Sequence, residues 1–116
     1  MTSNGDLPVF VKWMDFMKWL LITTDKFPKS ARYNYTNRIV NLAFDILEQL
    51  IEARYSKSKL ANLKKVNLQI EKLRILLRIS FESRHLSHKV YEQAVFSLNE
   101  IGRMVGGWIK QQEGAK

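Results

Sequence analysis

The stretch that decides the fold is SKLANLKKVNLQIEKLRILLRISFES, residues 58–83. Its large apolar residues recur at intervals of three and four, which predicts a helix over about 58–83 with one continuous apolar side. We call that side the inner seam. It consists of Leu63, Val66, Ile70, Leu73, Leu77 and Phe81.

The same helix has more apolar residues than one core can use. Leu68, Ile75, Leu76 and Ile79 point roughly away from the inner seam at about 100° per residue, and we call them the outer stripe. A helix that is apolar on two sides is usually buried on both. Because the far side of a helix in a bundle faces outward, the outer stripe predicts an interface with a second copy or with a partner protein.

Three more helices are predicted, over about 8–26, 36–55 and 87–112. Pro28 disfavours helix at Phe27 and separates the first two, while Ser87 is a favourable N-cap for the last. Four helices of similar length with short connections predict an all-α, up-down-up-down four-helix bundle formed by residues 1–116 as a single domain. The apolar seams of these helices are Phe10, Trp13, Met17, Leu20 and Thr24, then Ile39, Ala43, Ile46, Leu50 and Ala53, and finally Tyr91, Ala94, Leu98, Ile101, Val105 and Trp108.

Composition narrows the class of protein. The chain has 116 residues, of which 46% are hydrophobic and 26% charged, as in ordinary globular domains. The absence of cysteine excludes disulfides, thiol catalysis and thiolate metal sites. The apolar stretch 9–22 is interrupted by Lys12, Asp15 and Lys18, so it is too short and too charged to span a bilayer, and a cytoplasmic location is expected.

The positive charge is concentrated in one part of the chain. The net charge is +8, and residues 56–90 alone have nine lysines and arginines against two glutamates, a balance of +7. A bias that served only solubility would be spread along the chain, so this segment predicts a surface for a polyanion, with contacts to phosphates more than to bases. A solvated helix face is the simpler alternative. The candidate binding residues are Lys57, Lys59, Lys64, Lys65, Lys72, Arg74, Arg78 and Arg84.

The sequence contains few residues in patterns typical of a catalytic or metal site. Glu82, His85 and His88 have the spacing of half a metal site in a bundle, but the chain has only these two histidines. Acidic residues at 45, 48 and 52 fit a solvated face or ion pairs with the basic helix better than acid–base catalysis. No phosphate-binding loop or catalytic triad pattern is present. We therefore expect a protein that is not an enzyme and needs no cofactor or metal.

Three glycines interrupt the last helix, at 102, 106 and 107. Each costs about 1 kcal/mol of helix stability relative to alanine. We therefore expect a close approach of another helix there, or a helix that ends near Gly106.

Four motifs occur in order along almost the whole chain: FPKS at 27–30, IEARY at 51–55, LRILLR at 73–78 and EIGRMVGGWIK at 100–110. In this order they resemble the accessory variability determinants of diversity-generating retroelements, the bAvd family. The first motif also occurs in related four-helix bundles encoded in ribosomal RNA intervening sequences.

The resemblance implies a homopentameric barrel of four-helix bundles with a basic surface. Such proteins bind a reverse transcriptase and act with its template RNA in mutagenic cDNA synthesis, without catalysing a reaction themselves. Arg74 and Arg78 fall in the third motif, and Glu71 is placed to pair with Arg74. The alternatives are an interaction protein of the intervening-sequence branch without a polymerase partner, and a metal-dependent enzyme.

Overall fold

The computed structural model describes residues 6–114, with side chains from Pro8 onward. It contains four long helices: α1 (Asp6–Asp25), α2 (Asn37–Tyr55), α3 (Lys59–Glu82) and α4 (His88–Gly114). Residues 6–114 include no β-strand. The all-α fold of four helices is therefore as predicted, and each helix begins and ends within two residues of the predicted position.

The segment between α1 and α2 differs from the expected simple connection. After Pro28 the chain makes one α-helical turn at Lys29–Ala31 and a π-helical turn at Arg32–Thr36, which runs directly into α2. A π-helical turn has more than the 3.6 residues per turn of an α-helix, so the spacing of apolar residues in an α-helix does not predict it. It packs the Tyr35 ring against Phe27, with the ring centroids 6.1 Å apart.

The core is formed by the predicted seams. All five seam residues of α2 are fully buried, as are Leu63, Val66, Ile70 and Leu73 of α3. Phe10, Phe81 and Tyr91 lie at the margin and are only partly buried. Val9 and Phe16 lie beside the predicted seam of α1 and are also buried, because the buried side of this helix is wider than one residue per turn.

The four helices lie in a square arrangement in an elongated molecule of 48 × 24 × 20 Å. α2 packs along α3, and α3 packs along α4, while α1 closes the bundle against α2 and α4. An ion pair between Lys12 Nζ and Glu100 Oε1, 3.0 Å apart, also joins α1 to α4. Consequently α1 and α3 lie diagonally opposite each other, and their outer sides face opposite directions.

Local hydrogen bonds define the turn between α3 and α4. The Ser87 hydroxyl accepts a hydrogen bond from the backbone N–H of Val90 at 3.2 Å, so the predicted N-cap of α4 is confirmed. α3 ends in a Schellman motif, in which His85 N–H donates to Ser80 C=O and Arg84 N–H donates to Phe81 C=O. Arg84 occupies the left-handed position of that motif, with φ at 66°.

No helix among the described residues is both long enough and apolar enough to span a membrane.

Candidate nucleic-acid interface

The basic segment forms the outside of α3 and of the two connections that flank it. Most lysines and arginines of α3 lie on the side of the helix away from the inner seam. Because the inner seam is buried in the bundle, these basic side chains face solvent. Lys59 and Arg74 are partly buried. The exposed basic residues are Lys57, Lys64, Lys65, Lys72, Arg78, Arg84 and Lys89.

The outer stripe lies in the middle of this basic surface. Leu68, Ile75 and Ile79 are 57%, 54% and 43% exposed, far above the values of the inner seam. Leu76 differs from its predicted place: it is partly buried and lies with Leu42 and Arg38 in a groove between α3 and α2. The reason is geometric, because Leu76 follows Leu73 by three residues and is rotated only about 60° from the seam.

Basic side chains border the outer stripe on both sides. Helical geometry places Lys65 and Lys72 on the side toward α2, and Lys64 and Arg78 on the side toward α4. Of these, Arg78 is paired, with its Nε 3.2 Å from Oε2 of Glu82. The outside of α3 therefore combines apolar contact area with cations whose heads remain in water.

Lys59 has a local structural task. Its ammonium donates hydrogen bonds of 2.8 Å to the carbonyl oxygens of both Ala53 and Arg54, at the C-terminal end of α2. These carbonyls have no partner further along the helix, and a cation is favourable at the negative end of the helix dipole. Lys59 thus stabilises the α2–α3 connection, and less of its charge is available to a ligand than in Lys57 or Lys64.

Arg74 joins α3 to α4. Its Nε donates to Oδ1 of Asn99 at 3.2 Å and its Nη2 to the Leu98 carbonyl at 3.4 Å, while its Nη1 lies 2.8 Å from Oε2 of Glu71. The predicted Glu71–Arg74 pair is therefore confirmed. Arg74 is consequently an interhelical arginine whose guanidinium is held in one place.

The three glycines of α4 do not have one common explanation. A Cβ at Gly102 would lie 3.1 Å from Nη2 of Arg74, so this glycine makes room for the guanidinium. A Cβ at Gly106 or Gly107 would meet no atom within 4 Å, and α4 continues to Gly114. The expected helix end near Gly106 is thus wrong. Among the described residues, the close approach is made at Gly102 by the side chain of Arg74.

The side chains considered as metal ligands or as acid–base groups do not form a common site among the described residues. His88 Nδ1 pairs with Glu92 Oε1 at 2.7 Å on the surface of α4, whereas the His85 ring stacks on Tyr35 with the centroids 5.4 Å apart. Among the side chains of residues 8–114, no three histidines or carboxylates lie close enough together to bind a metal ion. Asp45, Glu48 and Glu52 are all exposed on α2.

Two further features of the surface involve residues outside the basic segment. Arg103 is exposed in a polar groove between α3 and α4 that Asn67, Arg74, Asn99 and Gly102 also line. The sequence gives no signal for this groove, because its position depends on the contact between Arg74 of α3 and Asn99 of α4. The outer side of α1 has the exposed apolar residues Val11, Met14, Leu21 and Ile22 together with the exposed Asp15 and Lys18.

Comparison with known proteins identifies the family. No curated protein matches the chain. A family model described as bAvd-like matches residues 9–112, which include all four long helices except the outermost residues of α1 and α4. Since this match spans nearly the whole chain, the protein belongs to the bAvd-like family.

Proposed function

We propose that this protein is the accessory protein of a diversity-generating retroelement. In this function it assembles as a homopentamer, binds the retroelement's reverse transcriptase and template RNA through its basic surface, and supports mutagenic cDNA synthesis without being an enzyme. The observation that carries the proposal is the +7 balance of residues 56–90, displayed on the outside of α3 in a chain of the bAvd-like family.

Self-association is supported by the two apolar outer faces. The outer side of α1, with Met14 and Ile22, and the outer stripe of α3, with Leu68 and Ile75, are unlike each other and lie on diagonally opposite helices. Two different patches that face away from each other favour head-to-tail contacts, which close into a ring when the rotation per subunit fits. The number of five copies comes from the resemblance to the bAvd family and not from these two faces.

Polyanion binding is supported by the lysines around the outer stripe. Lys64, Lys65 and Lys72 are exposed and have no carboxylate within ion-pair distance among the described residues. Neutralising phosphates with such cations releases counterions, so the affinity for RNA should fall steeply with salt. Because lysine binds phosphate as a point charge, this binding should depend little on sequence.

The test is co-purification of this chain with the retroelement's reverse transcriptase after co-expression of the two proteins, with and without ribonuclease. The charge-reversal variant changes Lys57, Lys64, Lys65 and Lys72 to Glu. The matched control changes to Glu four residues that are exposed outside the basic segment and give the same change in net charge, namely Lys26, Lys29, Arg32 and Lys110. We expect the polymerase to co-purify with the wild type and the control, and to be lost with the charge-reversal variant.

RNA binding is measured in parallel as a function of salt. For single strands the slope of log affinity against log salt changes by about 0.7 per phosphate contact. Loss of four lysine–phosphate contacts should therefore make the slope of the charge-reversal variant shallower by about 3. The absence of both polymerase and RNA from the wild-type protein would contradict the proposal and favour an interaction protein of the intervening-sequence branch. Dissociation of the assembly by the charge-reversal variant would instead assign these lysines to the subunit interface.

A further inference from the structure

The polar groove between α3 and α4 has the features of a preformed site for a phosphate oxyanion. We propose that Arg74 and Arg103 together bind one phosphodiester of single-stranded RNA there. The inference rests on the proposed function and adds to it the position of a phosphate contact. The groove is lined by Asn67, Arg74, Asn99, Gly102 and Arg103.

The first argument is that Arg74 is held in place before any ligand arrives. Contacts to Asn99, Glu71 and the Leu98 carbonyl fix the guanidinium across the helix interface. Arginine has five N–H donors in a rigid fork, and these contacts use three of them, which leaves two for further hydrogen bonds. A side chain that is already ordered loses little conformational entropy on binding, which favours affinity.

The second argument is the charge of the groove. Glu71 offsets Arg74, but no carboxylate of the described residues lies within ion-pair distance of the exposed Arg103. Two guanidinium groups with a single carboxylate beside them leave a net positive charge in the groove. The amides of Asn67 and Asn99 add neutral groups that can donate or accept hydrogen bonds. Paired guanidinium groups match a tetrahedral phosphate better than lysines do, because each can donate two parallel hydrogen bonds.

The third argument is the glycine beneath the guanidinium. A Cβ at Gly102 would lie 3.1 Å from Nη2 of Arg74, so an alanine there would shift that group by a few tenths of an ångström. Gly106, one turn further along α4, has open space around the corresponding position. The glycine that costs helix stability at position 102 is thereby explained by the placement of Arg74, and it provides a matched pair of substitutions.

The experiment measures binding of a fluorescent oligouridylate by anisotropy with the full-length chain. We expect Arg103→Gln to weaken binding about tenfold, as for the loss of a charge-assisted hydrogen bond. Arg32→Gln, which removes the same charge from an exposed residue outside the groove, should change binding less than about twofold. Gly102→Ala should weaken binding and Gly106→Ala should not, although both gain the same helix propensity.

A second measurement does not depend on the stability of any variant. Inorganic phosphate is titrated into the wild-type protein while the side-chain Nε–H signals of Arg74 and Arg103 are followed by NMR. We expect both signals to shift together, and the oligouridylate to compete with phosphate for them. Shifts with phosphate but without competition by RNA would mean an adventitious ion only, and would overturn the proposal.

The outcomes separate this site from the wider function. Loss of RNA binding in the four-lysine charge-reversal variant, with normal binding by Arg103→Gln and Gly102→Ala, would overturn the phosphate site and leave the proposed function intact. Failure of the wild type to bind oligouridylate at low salt would overturn both. A loss of polymerase co-purification by Arg103→Gln, with unchanged RNA affinity, would assign the groove to a protein contact and also overturn the proposal.

Discussion

The two sides of α3 have the same kinds of residues and opposite surroundings. On the inner seam, Ile70 and Leu73 are fully buried, whereas on the outer stripe Ile75 and Leu68 are more than half exposed. Only their angular position around the helix differs. The inner seam therefore stabilises the fold of one chain, and the outer stripe contributes little to it, so its apolar surface remains available for contact with another molecule.

The surroundings of the outer stripe add a second difference. The inner seam is enclosed by the other three helices, but the outer stripe is bordered by Lys64, Lys65 and Lys72. Their mutual repulsion opposes contacts between two copies of this same face, and favours contacts with an unlike or acidic surface. A surface of this kind is suited to head-to-tail assembly next to a polyanion.

The largest effect expected within α3 comes from the same substitution made on its two sides. Ile70→Ala removes a fully buried side chain and should lower the unfolding free energy by about 2–5 kcal/mol. Ile75→Ala should change it by less than about 0.5 kcal/mol, measured by urea unfolding at a dilution where the chain is monomeric. Equal losses in the two variants would show that the outer stripe belongs to the fold of the single chain.

An intermediate effect is expected at the boundary between the two sides. Leu76 is partly buried beside Leu42 in the groove between α2 and α3. Leu76→Ala should lower the unfolding free energy by roughly 1–2 kcal/mol, about half the cost at a fully buried leucine. The same urea titration measures it, and a loss as large as that of Ile70→Ala would move the boundary of the core outward to this position.

The smallest effect is expected at the end of α3, and it has the opposite sign. Arg84 adopts φ of 66°, where glycine is the favoured residue at a helix C-terminus. Arg84→Gly should therefore raise the unfolding free energy by roughly 0.5–1 kcal/mol, observed as a higher midpoint in urea. Arg84 is also one of the exposed basic residues of the proposed RNA-binding surface, so the same variant should bind RNA more weakly. A less stable Arg84→Gly protein would show that the arginine side chain itself stabilises the turn.

Most of the fold follows from helical periodicity. The spacing of Ile39, Ala43, Ile46 and Leu50 is sufficient to predict both the helix and its buried side, and the same holds for Leu63 through Leu77. Helix ends were also predictable where a local signal marks them, as at Ser87. These features depend only on residues close together in the sequence, which is why a single chain suffices to find them.

The remaining features depend on contacts between distant residues. The π-helical turn at Arg32–Thr36 brings Tyr35 against His85, fifty positions away, and no periodicity indicates that pairing. Likewise, Lys59 caps α2 and Arg74 reaches Leu98, although both were candidates for binding on charge alone. Composition identifies the basic segment, but only the three-dimensional arrangement shows which of its cations are already engaged.

The most direct test of the assembly that these two sides imply is the solution mass of the wild-type chain. Light scattering coupled to gel filtration in high salt, which removes bound RNA, should give about 68 kDa for five copies of the 13.6 kDa chain. The double variant Ile75→Lys, Ile79→Lys should retain its helical circular dichroism and lose that mass. A wild-type mass of 13.6 kDa would contradict the account, because the outer stripe would then remain uncovered in solution.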